Sequence, residues 1–240
     1  SGSVSTNGST SMEKVCGALG EAFGDKHPEL TIDLQATGSG AAITALNDGT
    51  AQIGNLSRAV KDSENPDGKY EAITIALDGI AIIVHKNNAA ADLTAEQLAS
   101  IFKKEVTNWK DVGGPDKAIT VIGRETGSGT RDGFEEVVKV KDACQYDVTL
   151  NSTGAVVSKV MSDANAIGYV SYSAVSDEIK ALLDAEDDIV LIALAHIRHG
   201  QVHTGNVDTL LILDHTIIFH GADDIRIGNA FDAQGNQAII

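Results

Sequence analysis

One pattern occurs three times in this chain and limits what it can fold into. A short extended run is followed by a knot of glycine, serine and threonine, and then by an amphipathic segment of helical period, with the knots at residues 7–11, 37–40 and 126–130. A helix N-terminus carries free N–H groups and a partial positive charge, and glycine lets an anion approach them. Three such helix starts predict a cage for an oxyanion, with ordinary N-capping as the alternative for each knot.

The order of strand-like and helix-like segments predicts the fold class. Residues 30–35 alternate apolar and polar side chains, as in a half-buried strand, and residues 94–97 form a capping box that begins a helix. Ser9 or Thr10 is expected to cap the helix after the first knot. Strands alternating with helices indicate an α/β fold with largely parallel sheets, in which ligands bind beyond the carboxyl ends of the strands. All three knots fall at such ends.

The size and charge of the chain exclude several classes of function. Its 240 residues, 42% of them apolar, can bury the core of one large domain or two small ones. The net charge of -16 makes nucleic acid and anionic membranes poor partners. A small anion must therefore be held by local dipoles and one or two arginines, because long-range attraction would oppose its approach.

The third knot and the residue before it carry the richest binding chemistry. Arg124 is expected to end a strand, where its guanidinium could fork onto two oxygens of an anion. Ser128, Gly129 and Thr130 would add amides and hydroxyls at a helix start, and Ser57 could add a hydroxyl after another strand. A surface arginine beside a capped helix and a plain turn are the alternatives. Neither the P-loop pattern nor the Gly-x-Ser-x-Gly pattern of hydrolases occurs.

The two cysteines do not form a disulfide framework. Cys16 lies on an apolar stripe of helical period, which predicts a core position, and its pairing with Cys144 stays open. The stripe consists of Met12, Val15, Cys16, Leu19 and Phe23.

Three histidines near the C-terminus have a spacing that could form a metal site. His196, His199 and His203 would share one face of a helix and could bind zinc or copper. Gly200 and the β-rich surroundings argue against that helix, so scattered surface histidines are favoured and no metal is expected.

Eight segments together resemble one known family in order and spacing. They are GSTS (8–11), ATGSGAAITALNDGTAQIG (36–54), ALDGIAIIVHKNN (76–88), LTAEQLASIF (93–102), TNWKDVGGPD (107–116), GRETGSGTRDGFEE (123–136), NSTGAVV (151–157) and AIGYVSYSAV (166–175). From residue 1 to about residue 182 the chain is similar to the phosphate-binding subunit of the bacterial phosphate ABC importer. The similarity is to the compact kind found as lipoproteins in Gram-positive and related bacteria.

The resemblance implies a fold and a set of ligand-binding residues. The fold is α/β, a two-lobed type II periplasmic-binding-protein fold with mixed sheets and two hinge crossovers. Residues 1–78 and 172–240 would form lobe 1, residues 79–171 would form lobe 2, and phosphate would lie in the cleft between them. The implied phosphate-binding residues are Ser9, Thr10, Ser11, Ser39, Gly40, Ser57, Arg124, Ser128, Gly129 and Thr130.

The function implied by the resemblance is that of an extracytoplasmic substrate-binding protein. It would capture inorganic phosphate and deliver it to the membrane permease of an ABC importer, as a monomer without a cofactor, without covalent chemistry and without nucleic acid. It would lie in the periplasm or on the outer face of the cell membrane, lipid-anchored in its precursor. The alternatives are another tetrahedral oxyanion such as sulfate, a phosphate-binding or adhesion module without transport, and an enzyme acting on phosphate esters.

The chain departs from the family at two places. Many members have an aspartate where Ser57 stands, and that carboxylate accepts the phosphate proton and rejects sulfate, which has none. Asp78 and Asp132 are candidates to replace it. From about residue 183 the sequence does not match the family, so the way in which lobe 1 is completed is left open.

Overall fold

The computed structural model describes residues 2–76, 78–90 and 92–182 and two short strands further on. The chain divides into two compact units. One consists of Ser1–Ala72 and Asp78–Ala195 and contains the elements described below. The other consists of Ile73–Leu77 and His196–Ile240, and in it Ala230–Phe231 pairs antiparallel with Gln237–Ala238. The three histidines considered as metal ligands lie outside the described residues.

A parallel sheet forms the first part of the larger unit. Its strand order is β2-β1-β3, and both pairs are parallel. Each strand is followed by one of the predicted Gly/Ser/Thr turns or by the turn that contains Ser57, so the strand–turn–helix expectation is confirmed here. The elements are β1 (Gly2–Gly8), α1 (Glu13–Lys26), β2 (Leu30–Ala36), α2 (Ser39–Asn47) and β3 (Ile53–Asn55).

Helix α1 packs with a different face from the one that the apolar stripe predicts. None of its residues is buried, and Cys16 is half-buried. The helix places Gly17 and Gly20 over β2, where a Cβ on Gly20 would lie 3.5 Å from Ile32. The prediction that Cys16 is a core residue is therefore wrong, because the small residues approach the sheet and the large side chains of the stripe remain partly exposed. Both cysteines are free.

A mixed five-stranded sheet forms the second part of the unit. Its strand order is β6-β5-β7-β4-β8, with β5 parallel to β6 and β7, and β4 antiparallel to β7 and β8. The capping box predicted for α3 is present, since Thr94 and Gln97 exchange hydrogen bonds. The elements are β4 (Ile80–His85), α3 (Ala95–Phe102), β5 (Thr120–Arg124), α4 (Gly129–Val137), β6 (Val148–Leu150), α5 (Thr153–Ser162), β7 (Ala166–Ser171) and β8 (Ile179–Leu182).

The second sheet has an apolar core on each face. One core gathers the aromatic side chains around α3 and α4, including Phe102, Trp109 and Phe134, which are fully buried. The other lies between the sheet and α5 and includes Val156 and Val160. Each fully buried side chain of this size contributes roughly 1.5–3 kcal/mol relative to exposure. These two layers give the rigid support from which β5 presents its carboxyl end.

The connections between the two sheets differ in part from the sequence expectation. Residues 73–76 form no strand, and β4 begins only at Ile80. The side chains of Ile73 and Ile75 are exposed. The predicted return to lobe 1 at residue 172 falls before β8, and β8 pairs with β4 in the second sheet. Among the described residues, no helix is long and apolar enough to cross a membrane.

Candidate functional site

Five turns of the chain meet at one place, and each follows the carboxyl end of a strand. Three of them follow β1, β2 and β3 of the first sheet, and two follow β5 and β6 of the second. Because the strands within each group are parallel, their carboxyl ends share one edge, where ligands of open α/β sheets bind. The turns comprise residues 8–11, 37–40, 55–57, 124–130 and 151–153.

Four serine hydroxyls join the three turns of the first sheet. The Oγ atom of Ser9 lies 2.9 Å from that of Ser11 and 2.8 Å from that of Ser57. Ser57 in turn has its Oγ 3.4 Å from that of Ser39, and its amide donates to Ser39 Oγ at 3.2 Å. Each hydroxyl can donate or accept, so the side chains of Ser9, Ser11, Ser39 and Ser57 form a hydrogen-bonded row, here called the serine chain. Its hydroxyl hydrogens can reorient toward an anion.

Direct hydrogen bonds connect these turns to the turns of the second sheet. Thr10 Oγ1 lies 3.0 Å from Thr153 Oγ1 and accepts the amide hydrogen of Thr153 at 3.1 Å. The amide of Gly40 donates to the carbonyl of Gly127 at 2.9 Å. The turns of the two sheets are therefore in contact, as in a closed cleft.

The start of α4 lies against the serine chain. A Cβ added to Gly129 would lie 2.4 Å from Ser57 Oγ and 2.6 Å from Ser39 Oγ, distances that no side chain could keep. Glycine thus allows the first amides of α4 to reach the hydroxyls of the other sheet. Those amides carry the partial positive charge of the helix end.

Arg124 is the buried cation of the cluster, with only 1% of its surface exposed. Its Nε and Nη2 donate to the two carboxylate oxygens of Glu125 at 2.8 and 2.9 Å, and its Nη1 donates to Thr153 Oγ1 at 3.3 Å. Within the described residues these bonds engage three of the five N–H groups of the guanidinium. The two bonds to the Glu125 carboxylate fix the orientation of the planar guanidinium and leave donors for another acceptor.

Ordinary N-capping accounts for one of the three knots. Ser128 caps α4, since its Oγ accepts the amide hydrogen of Arg131 at 3.3 Å. Helix α2 begins after Gly38 without a side-chain cap, and the hydroxyl of Ser39 is left for the serine chain. Capping therefore does not explain the hydroxyls of the second knot.

The predicted cap of α1 by Ser9 or Thr10 is wrong. The helix begins at Glu13, after Met12, and no side chain caps it. The first knot instead forms a turn in which the Met12 amide donates to the Ser9 carbonyl at 3.1 Å. The hydroxyls of Ser9 and Thr10 do not cap the helix, because they contact the hydroxyls of Ser57 and Thr153.

Ion pairs join the two sheets beside the cluster. Arg58 donates from Nη1 and Nη2 to both oxygens of Glu64, at 2.8 and 2.7 Å. Its Nε lies 3.1 Å from an oxygen of Asp132, and Lys61 Nζ lies 2.8 Å from the same oxygen, in ion pairs that are not aligned as hydrogen bonds. Asp132 is thus balanced by two cations and bonds to none of the serine hydroxyls.

Asp78 lies where the chain enters the second sheet. Burial raises the pKa of its carboxyl, while hydrogen bonds from Ser171 and from the Gly79 amide act to lower it. The backbone at this point is fixed by the Tyr172 amide, which donates to the Gly79 carbonyl at 2.7 Å. Asp78 accordingly interacts with the strands that enter and leave this sheet.

The structure brings all ten residues expected to bind the anion into this cluster or into its turns. Sequence reasoning missed Thr153, which links the first knot to the guanidinium of Arg124. The signal was available, because Asn151-Ser152-Thr153-Gly154 follows a strand and begins a helix as the three knots do. Among residues 2–76, 78–90 and 92–182, no group of His, Cys, Asp or Glu is arranged to hold a metal ion.

The fold and this cluster agree with a known superfamily. A family profile described as the PBP superfamily domain matches residues 1–204, which is most of the chain. The chain therefore belongs to the PBP superfamily. Its two mixed α/β parts, with their strand ends facing one cluster, correspond to the two-lobed type II fold of periplasmic binding proteins.

Within that superfamily, relatives of similar sequence include proteins named phosphate-binding protein PstS. The phosphate-binding protein PstS of Bacillus subtilis is 31% identical over 179 residues, which are 74% of this chain and 60% of the relative. That of Pseudomonas aeruginosa is 32% identical over 207 residues, which are 78% of this chain and 64% of the relative. The chain thus spans less than two thirds of the length of these relatives.

A solved structure gives a likeness in three dimensions. A crystal structure from Clostridium perfringens, of a protein assigned as a phosphate ABC transporter substrate-binding protein, contains bound phosphate. It is 42% identical to this chain, with a TM-score of 0.72, and the match covers 76% of this chain and 75% of that one.

Proposed function

We propose that this protein captures inorganic phosphate between its two lobes and delivers it to the membrane permease of an ABC importer. The observation that carries the proposal is the cluster itself, in which turns from both sheets combine hydroxyls, helix-start amides and one buried arginine. The names of the relatives and the phosphate bound in the Clostridium perfringens structure support the choice of ligand.

The chemistry of the cluster fits a tetrahedral anion that is stripped of water. Binding would exchange hydroxyl–hydroxyl contacts such as Ser9–Ser57 for hydroxyl–oxyanion hydrogen bonds. Hydrogen bonds to a charged group contribute roughly 1.5–3 kcal/mol each. About four net favourable ones give micromolar affinity after the cost of closing the lobes. Nothing in this arrangement requires covalent chemistry, a cofactor or a metal.

The remaining parts of the proposal concern binding residues and location. The residues that bind phosphate would be Ser9, Thr10, Ser11, Ser39, Gly40, Ser57, Arg124, Ser128, Gly129 and Thr130, and we add Thr153 because it bonds to Thr10 and Arg124. The protein would act outside the cytoplasm as a monomer, in the periplasm or on the outer face of the cell membrane, with a lipid anchor in its precursor.

A melting experiment with oxyanions tests the ligand. Phosphate-stripped protein is expected to melt at a higher temperature with phosphate, because a ligand that binds only the folded state stabilises it by mass action. At 100 times the dissociation constant the gain is about 2.7 kcal/mol. Molybdate and sulfate are run at the same ionic strength. Stabilisation by every anion alike, or by none, would contradict the proposal.

Discrimination against sulfate is expected to be modest and to improve when Ser57 is replaced by aspartate. A serine hydroxyl can accept the proton of phosphate or donate to sulfate, whereas a carboxylate accepts that proton and repels sulfate. Ser57→Asp should therefore increase the ratio of sulfate to phosphate dissociation constants by about 10- to 100-fold.

Competition calorimetry with phosphate and sulfate measures this ratio. Asp78→Asn is the matched control, because this carboxyl bonds to Ser171 and to the Gly79 amide rather than to the serine chain. If Asp78→Asn abolishes the discrimination and Ser57→Asp leaves it unchanged, Asp78 rather than a hydroxyl receives the phosphate proton.

A further inference from the structure

Side chains hold the main chain of Arg124 on the β7 side of the sheet, while on the other side Arg124 still pairs with Leu150 of β6. Strand β5 pairs with β7 at Thr120 and Val121, and no further pairs follow between these strands up to Arg124. At Arg124 the amide donates instead to the hydroxyl of Tyr169, at 3.2 Å. The carbonyl of Arg124 accepts from Arg131 Nη1 at 3.1 Å. Both backbone polar groups are satisfied in this way, as buried groups must be.

The two side chains that hold Arg124 are joined to each other through two more. Tyr169 and Tyr146 have their hydroxyl oxygens 3.1 Å apart, and the Tyr146 hydroxyl donates to Glu135 Oε1 at 3.0 Å. The same carboxylate oxygen accepts from Arg131 Nε at 2.7 Å. The hydrogen bonds thus form a closed ring that leaves Arg124 at its amide and returns to it at its carbonyl.

The direction of every hydrogen bond in this ring is fixed by its ends. The amide of Arg124 can only donate and the ionised carboxylate of Glu135 can only accept. Tyr146 must therefore give its hydrogen to Glu135 and accept from Tyr169, which in turn accepts from Arg124. Burial raises the pKa of both tyrosines, so both keep the hydrogens that the ring needs.

The surrounding packing leaves the ring little freedom. The Tyr169 ring is 1% exposed and stacks on Phe134, with ring centroids 4.2 Å apart. The Tyr146 ring lies directly on the backbone of Gly123, where an added Cβ would be 2.3 Å from ring carbons. Only glycine at the residue before Arg124 permits this contact. The Arg131 guanidinium covers the same ring at 5.1 Å from its centroid.

We infer that Tyr169, Tyr146, Glu135 and Arg131 are positioning residues that set the place of the Arg124 guanidinium at the anion site. The inference rests on the proposed function, in which Arg124 binds phosphate. A shift of the Arg124 backbone would move the guanidinium relative to the serine chain on the other sheet. The ring of hydrogen bonds prevents this shift, because it holds both the amide and the carbonyl of Arg124.

Phosphate titration of Tyr169→Phe, Arg124→Ala and the double variant tests the inference by a double-mutant cycle. Tyr169→Phe keeps the ring stack and removes one hydroxyl, and it should weaken phosphate binding roughly five- to twentyfold. In the Arg124→Ala background the same substitution should change the affinity by less than about twofold, because its effect passes through that guanidinium. A purely structural role would give the same loss in both backgrounds.

Two further variants keep the test decisive. Tyr146→Phe breaks the ring at its next link without touching Arg124, and it should repeat the pattern if Tyr169→Phe folds poorly. Tyr70→Phe also removes a hydrogen-bonded hydroxyl, the one that donates to Asn47, and should bind phosphate as the unmodified protein does.

The outcomes distinguish the inference from the proposed function. If the unmodified protein binds phosphate and Arg124→Ala weakens that binding, equal losses from Tyr169→Phe in both backgrounds overturn the inference alone. If the unmodified protein does not bind phosphate, the proposed function fails, and the inference that rests on it fails too.

Discussion

Arg124→Ala is expected to weaken phosphate binding at least tenfold while leaving the protein folded. The substitution removes the buried cation of the site and also leaves the Glu125 carboxylate without the partner that balances its charge. One lost charged hydrogen bond corresponds to roughly a 10- to 100-fold change, and repulsion by the unpaired carboxylate adds to it. The backbone at this position keeps its bonds to Tyr169 and Arg131, so the fold should persist.

Calorimetry with phosphate, together with circular dichroism for folding, measures this effect. Arg124→Ala combined with Glu125→Gln should recover part of the affinity, because the unpaired charge is removed. Lys159→Ala serves as the matched control, since it takes a cation from the surface of α5 where it pairs with Asp163. Unchanged affinity in folded Arg124→Ala protein would show that the guanidinium does not bind the anion.

Gly129→Ala is expected to reduce phosphate affinity by at least tenfold without lowering the stability of the second sheet. The new methyl group would lie 2.4 Å from Ser57 Oγ, 2.6 Å from Ser39 Oγ and 3.1 Å from the carbonyl carbon of Ser57. The two sheets could then approach only if these groups move apart, which opens the site. Alanine is favoured over glycine in a helix by about 1 kcal/mol, so α4 itself should not suffer.

Gly154→Ala is a closely matched control for this substitution. Gly154 also lies in the first turn of a helix, α5, but a Cβ there meets nothing within 4 Å. It should bind phosphate normally and melt at an equal or higher temperature. Should Gly129→Ala bind as tightly as Gly154→Ala, the close contact between α4 and the serine chain is not needed for binding.

Local chemistry in the sequence was sufficient for most elements of the second sheet. The capping box at Thr94, the buried face of α3 and the strand that ends at Arg124 follow from residue type and period alone. The orientation of α1 could not be predicted from the sequence. The apolar pattern of a helix shows where its large side chains lie, and not which face comes closest to a sheet. There the glycines face β2, and the apolar stripe remains partly exposed.

The residue types of the candidate site could be predicted from the sequence, but the hydrogen bonds between them could not. Glycine, serine and threonine after strands indicated an anion site at the strand ends, and that rule applied equally to the overlooked Thr153. No local rule could show that Thr153 lies between Thr10 and the guanidinium of Arg124, since these contacts join distant parts of the chain. The ring through Tyr146 and Tyr169 was likewise invisible, because tyrosines in apolar segments are indistinguishable from ordinary core residues.

Which residue types stand at each strand end can be predicted from the amino-acid sequence, because backbone periodicity and the chemistry of glycine, serine and threonine act over a few neighbouring residues. Tertiary structure alone decided which of those hydroxyls cap a helix and which face the other sheet. It also decided what holds the buried arginine in place. Hydrogen bonds across a cleft require that the two sheets are placed correctly relative to each other. That placement is set by packing and not by the local conformational preference of the residues.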